Sequence, residues 1–127
     1  MPEKKESCGC GCTCGTKLIF SCSGAADVGA LSDQAARKLT KDGTGKMYCL
    51  AGIGGNVSGI VETTKSADMI LAIDGCPIAC TKKLLERNGF SDFKYMELTG
   101  MGFKKGETAV TEAVIGTVVS KGKELLS

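Results

Sequence analysis

The sequence predicts an α/β fold: a small parallel sheet of about four strands between two layers of helices. Three observations predict it. Short apolar runs, such as Leu18-Ile19-Phe20 and Met69-Ile70-Leu71-Ala72-Ile73, have the length of buried strands. Longer segments with apolar residues at helical spacing alternate with these runs. The joining turns are short and rich in glycine, as in chains that cover a parallel sheet on both faces.

The elements follow in order. The domain begins near Lys17, and Leu18 to Ser21 reads as the first strand, ending at Cys22. Ser23-Gly24-Ala25-Ala26 is a turn of small residues. Asp27 suits the N-cap of a helix from about Val28 to Lys41, with Val28, Leu31, Ala35 and Leu39 on one face. Asp42-Gly43 stops it. Lys46-Met47-Tyr48 leads to Cys49 in a second strand, and the glycine-rich stretch Leu50 to Gly55 follows. Asn56 is expected to cap a helix from about Val57 to Lys65. Met69 to Ile73 is the third strand, and the helix after Pro77 runs to about Arg87, where Asn88-Gly89 ends it. Lys94 to Leu98 is the fourth strand, followed by the Thr99 to Gly102 turn. The last helix is expected from about Thr108 to Leu126, with Val110, Val114, Val118 and Leu125 on its apolar face. By analogy with doubly wound sheets of the flavodoxin and Rossmann type, the expected strand order is 2-1-3-4.

Composition narrows the function. The chain has 127 residues, enough for one domain. Residues 1–16 read as a flexible Cys-rich N-terminal segment, and 17–127 as the α/β domain. The formal net charge is +2 with charges scattered throughout, which gives no electrostatic case for nucleic acid. No apolar stretch approaches the ~20 residues of a membrane span. The charged start, Met1-Pro2-Glu3-Lys4-Lys5-Glu6-Ser7, has no apolar segment of the secretory kind. A cytoplasmic location is therefore expected.

The chain has eight cysteines and no histidine. In a reducing compartment that usage points to metal binding or thiol chemistry, and any metal site must be built from Cys, with Asp or Glu as further donors. Cys8, Cys10, Cys12 and Cys14 alternate with other residues in the N-terminal segment. Such a set can hold zinc, copper(I) or an iron–sulfur cluster. The other four cysteines are separated in sequence and converge in topology. Cys22 ends the first strand, Cys49 the second, Cys76 follows the third, and Cys80 lies one helical turn beyond. All carboxyl ends of a parallel sheet lie on one edge, where ligands of such folds bind.

The stretch Asp74-Gly75-Cys76-Pro77-Ile78-Ala79-Cys80-Thr81-Lys82-Lys83 organises this edge. Pro77 suits the first position of a helix. Cys76 is then expected at the N-cap with Cys80 on the same face, two thiols at the positive end of the helix dipole. Asp74 is expected to bond metal-ligand neighbours or the N–H groups of the turn. Lys82, Lys83, Lys104 and Lys105 are candidates for offsetting thiolate charge, or else solvated surface residues. Gly24, Gly52, Gly54, Gly55 and Gly75 permit close backbone approach at the edge. Neither a phosphate-binding Gly-Lys-Ser/Thr loop nor a Gly-x-Gly-x-x-Gly fingerprint after the first strand is present.

Asp74-Gly75-Cys76-Pro77-x-x-Cys80 after an apolar strand, with Cys22 and Cys49 upstream, resembles the DGC-domain proteins over roughly residues 17–125. These are small, mostly microbial proteins regarded as zinc-binding because of four characteristic cysteines. The resemblance implies zinc as cofactor and Cys22, Cys49, Cys76 and Cys80 as the metal site; the N-terminal cysteines lie outside it. Three functions stand beside one another. One is zinc binding by four thiolates, for sensing, handling or metal-assisted chemistry. A second is a thiol, persulfide or redox protein with Cys76 as nucleophile and Cys80 as resolving thiol, acting on a small thiol, sulfur species or anion. The third is an iron–sulfur protein.

Overall fold

The computed structural model describes residues 15–127. Its four strands are β1 (Lys17–Ser21), β2 (Lys46–Met47), β3 (Met69–Asp74) and β4 (Lys94–Glu97). Its helices are α1 (Asp27–Lys41), α2 (Leu50–Gly54), α3 (Ser58–Lys65), α4 (Cys80–Arg87) and α5 (Glu112–Leu126), with one 3₁₀ turn at Thr99–Met101. The strands form one parallel sheet in the order β2-β1-β3-β4. The expected strand order and fold class therefore hold. The chain crosses over after β2, so the edge between β1 and β3 carries the topological switch.

Alternation along each strand divides the core in two. Ile19, Leu71, Ile73 and Met96 face α1 and α5, where they meet Leu31, Leu39, Val118 and Leu126. Leu18, Phe20, Ile70 and Ala72 face the other layer, where Ile53 of α2, Val61 of α3 and Leu85 of α4 cover them. Both faces of β1 and β3 are thus buried, which is why these strands read as continuous apolar runs.

Several boundaries differ from expectation, each for a local reason. The stretch after β2 is the short helix α2, with Cys49 at its N-cap. Asn56 does not cap α3; it takes a left-handed conformation (φ 55°), and Val57 is the N-cap. Asp27 is the first residue of α1, with Ala26 at the N-cap. The last helix begins at Glu112, because Thr111 caps it by accepting from the Val114 amide at 3.3 Å. Val110 therefore lies outside the helix and is exposed.

The helix after β3 also begins later than Pro77. Cys76-Pro77-Ile78-Ala79 is a turn closed by the Ala79 N–H on the Cys76 carbonyl at 3.1 Å. Pro77 occupies its second position, which its fixed φ suits. Ala79 then takes φ 57° at the N-cap, and α4 starts at Cys80. Cys76 is thus neither an N-cap nor on a helix face shared with Cys80.

Two glycines let the amino end of α1 lie against the turns at the carboxyl edge. A Cβ on Gly29 would lie 2.5 Å from the Gly24 carbonyl oxygen, and one on Gly75 would lie 2.8 Å from the Val28 backbone. Backbone atoms cannot rotate away as a side chain would. Gly75→Ala is therefore expected to lower stability by about 1–3 kcal/mol, as overpacking does. The midpoint of denaturant unfolding measures it, and an unchanged midpoint would mean that the β3 turn does not press on α1.

Candidate functional site

Among the described residues, the carboxyl edge of the sheet presents four free cysteines. Cys22 directly follows β1, and its N–H bonds the Ile73 carbonyl at 3.1 Å, so the β1–β3 ladder carries it to the edge. Its Sγ lies 3.2 Å from the Ser32 Oγ on α1. The Ser32 hydroxyl donates its one proton to the Gly29 carbonyl at 2.8 Å, so the Cys22 thiol is the donor in this contact. Cys49 is exposed at the start of α2, and its side chain makes no capping hydrogen bond. Cys76 is half-buried on its turn, with the Lys105 Nζ 3.6 Å from Sγ. Cys80 is exposed as the first residue of α4.

Asp74 fixes this edge. Its carboxylate is 1% exposed and points into the layer that holds α4. One oxygen accepts from the Thr81 amide at 2.8 Å; the other accepts from the Lys82 amide at 3.0 Å and the Tyr95 hydroxyl at 2.9 Å. These amides belong to the first turn of α4, where no intrahelical acceptor exists. Asp74 is therefore a helix cap supplied from the preceding strand, with its charge at the positive end of the dipole. Burial first, and the Asp74 hydrogen bond next, push the Tyr95 phenol well above its ordinary pKa, so it stays protonated and donates. Lys82 lies over the Tyr95 ring, 5.2 Å from its centroid.

A second carboxylate ties down the loop that brings Lys105 to Cys76. Asp27 accepts from the amides of Gly106 at 2.9 Å and Thr108 at 2.8 Å, and from its neighbour Val28 at 2.8 Å. The Gly106 bond, then the Thr108 bond, hold the Asp27 carboxyl below its ordinary value of 3.8. The acidic residue expected as a cap is thus an anchor for residues 79 and 81 positions away.

A groove of about 870 Å³ opens beside this edge, between α1, β2 and α2, with Cys22 and Cys49 at its wall. Cys76 and Cys80 are not among its lining residues. Among the described residues, no three Cys, Asp or Glu side chains stand close enough to hold one metal ion as arranged. The donors suit zinc in kind, being four unbridged soft sulfurs, but they are not drawn together into a closed tetrahedron. Cys8, Cys10, Cys12 and Cys14 lie outside the described residues. Sequence reasoning named Lys105 only as one of four lysines, and it missed Ser32, Tyr95 and the groove residue Arg37. Tyr95 has a usable signal: with Ala72 and Asp74 two residues apart on β3 and Tyr95 paired to Ala72, ring and carboxylate share one face.

This is a small parallel α/β domain with its thiols at the carboxyl edge and an Asp-Gly-Cys turn at their centre. The chain belongs to the DGC-domain family, whose profile, described as "DGC domain", matches residues 18–121. It is also similar to the anaerobic and virulence modulator AnvM of Pseudomonas aeruginosa, with 36% identity over 88 residues, covering 69% of this chain and 67% of that protein. No solved structure matches it. Among the described residues, no helix is long and apolar enough to cross a membrane.

Removing the Asp74 carboxylate strands one buried amide, one half-buried amide and a phenol. Asp74→Ala is expected to cost about 3 kcal/mol or more, against about 1 kcal/mol for Tyr95→Phe, which removes one neutral partner. Chemical denaturation of both proteins checks the ratio. Equal losses would contradict the capping role. The lowered Asp27 value sets a second expectation, with its sign. The carboxylate's contribution is complete above its ordinary value of 3.8 and is lost as pH falls through the lower folded value. The Gly106 and Thr108 amide resonances should therefore move together in acid titration, below pH 3.8, and the shift should be absent in Asp27→Asn.

Proposed function

We propose that the protein binds a soft metal ion, zinc above all, through Cys22, Cys49, Cys76 and Cys80. The observation that carries this reading is the placement of four unbridged thiols at the ends of three adjacent strands and the start of α4. The chain has no histidine, so thiolates are its soft donors. Two of these cysteines are exposed and two half-buried, so binding in this reading draws Cys49 and Cys80 towards the more sheltered pair. Bound zinc would supply Lewis acidity if one ligand gave way to water, and structural closure if none did. Four thiolates around Zn²⁺ carry a formal charge of about −2. The Lys105 ammonium beside Cys76 offsets part of it. The first free amides of α4 do not, because Thr81 and Lys82 already serve Asp74.

A second reading rests on the Cys76–Lys105 contact. A cation against a half-buried sulfur is also the setting of a thiol that reacts, with no ion needed to hold the others in place. Both readings suit a reducing compartment such as the cytoplasm. Both also suit a modulator, the word in the printed name of the P. aeruginosa relative.

The test uses anaerobically purified chain in which Cys8, Cys10, Cys12 and Cys14 are replaced by Ser, so that only the domain's thiols remain. Competition with a chromophoric chelator should find about one zinc per chain, and Cys49→Ser and Cys76→Ser should each abolish it. Cobalt substitution should give sulfur-to-metal charge-transfer bands of a tetrahedral thiolate site. Full zinc occupancy in either variant would overturn the site, and a brown protein with iron and sulfide would replace zinc by a cluster.

A further inference from the structure

We propose that the groove beside α1 binds a small, carboxylate-bearing disulfide and that Cys49 exchanges with it; this extends the thiol reading above from Cys76 to a second sulfur and names a substrate class. The groove has a sulfur end and a charged flank. At one end stand Cys49, exposed and without a capping bond, and Cys22, whose thiol is engaged by Ser32. Along the flank, Asp33, Arg37 and Lys41 follow one another at four-residue spacing on one stripe of α1. Tyr48 and Leu50 add apolar surface to the lining.

The stripe has a chemical order. Asp33 accepts from the Ser23 hydroxyl at 2.8 Å and from the Arg37 Nε at 2.7 Å. That bond uses the Nε edge of the guanidinium and leaves its terminal nitrogens for another acceptor. Lys41 adds a second cation one turn on. The stripe from Asp33 to Lys41 is about 12 Å long at helical rise. An extended tripeptide spans about 10 Å. A compound of that size with a carboxylate at one end and an ammonium at the other would set the carboxylate on Arg37 and Lys41 and the ammonium on Asp33, with its sulfur towards Cys49. A purely apolar ligand would leave both cations unused, and a polycation would be repelled.

The step balances without a further reagent. The Cys49 sulfur, having given its proton to solvent, attacks one sulfur of the bound disulfide. The new S–S bond forms as the old one breaks, and the released half leaves as a thiolate. Cys49 is oxidised to a mixed disulfide and one half of the compound is reduced to a thiol.

Oxidised glutathione serves as the acidic probe, cystamine as the cationic one and hydroxyethyl disulfide as the neutral one. Peptide mass spectrometry follows modification at Cys49 in the full chain at low salt. Each rate is divided by the rate for the urea-unfolded chain, which removes intrinsic reagent reactivity. The acidic disulfide should then exceed the cationic one by about tenfold or more, the size of electrostatic steering into a charged cleft. Lys41→Gln and Arg37→Gln should each shrink the preference, and salt should shrink it in the unaltered chain. Equal normalised rates, or a preference that survives both substitutions, would overturn the groove assignment while leaving a reactive Cys49. Failure of Cys49 to react with any of the three would overturn the exchange step as well, whereas the thiol reading falls only if Cys76, followed in the same spectra, is also unreactive.

Discussion

Three donors converge on the Asp74 carboxylate, and the carboxyl edge of the sheet depends on that convergence. Burying a carboxylate costs several kcal/mol unless its oxygens are well bonded. Here the two amides opening α4 and the Tyr95 phenol supply charge-assisted bonds, and the helix dipole adds to them. Once β3 delivers Asp74 and α4 answers it, the residues between have a fixed span to bridge. Gly75 fits against the α1 backbone, and the Cys76–Ala79 turn projects outward. The Asp-Gly-Cys triplet is thus three consecutive solutions: a cap, a close approach and a presented sulfur.

The two carboxylates on the edge work at different ranges. Asp74 joins neighbouring elements, β3 and α4. Asp27 reaches from α1 to the loop between β4 and α5, and so carries Lys105 to Cys76. The scaffold around the sulfurs is therefore bonded tightly while the sulfurs are held lightly: Cys22 and Cys76 have one side-chain contact each, to Ser32 and Lys105, Cys49 and Cys80 face solvent, and no bridge joins any of the four. A rigid frame with free thiols suits either a metal ion that gathers them or a small sulfur compound that reacts with one.

The parallel sheet and its order were legible because the pattern is strong. β1 and β3 are apolar without alternation, as strands buried on both faces must be, and the βα repeat leaves few topologies. The gathering of cysteines at one edge followed from topology alone. What was not legible depends on contacts across the fold. The start of α4 is set by a carboxylate six residues earlier, which local propensity cannot see, and Pro77 fits a turn as well as it fits a helix start. Asp27 has the composition of a cap, but its acceptors are claimed by a loop distant in sequence. The groove arises where a short edge strand, β2, leaves the flank of α1 uncovered, and no motif announces that.

The central claim is that Asp74 clamps the first turn of α4 to β3 and so fixes the frame on which the thiols stand. Amide hydrogen exchange at neutral pH tests it most directly, at Thr81 and Lys82. These are first-turn amides, which in a helix capped only by solvent exchange quickly. The account predicts protection comparable to that of the β3 amides. Exchange of both at the rate of an open helix end would contradict it.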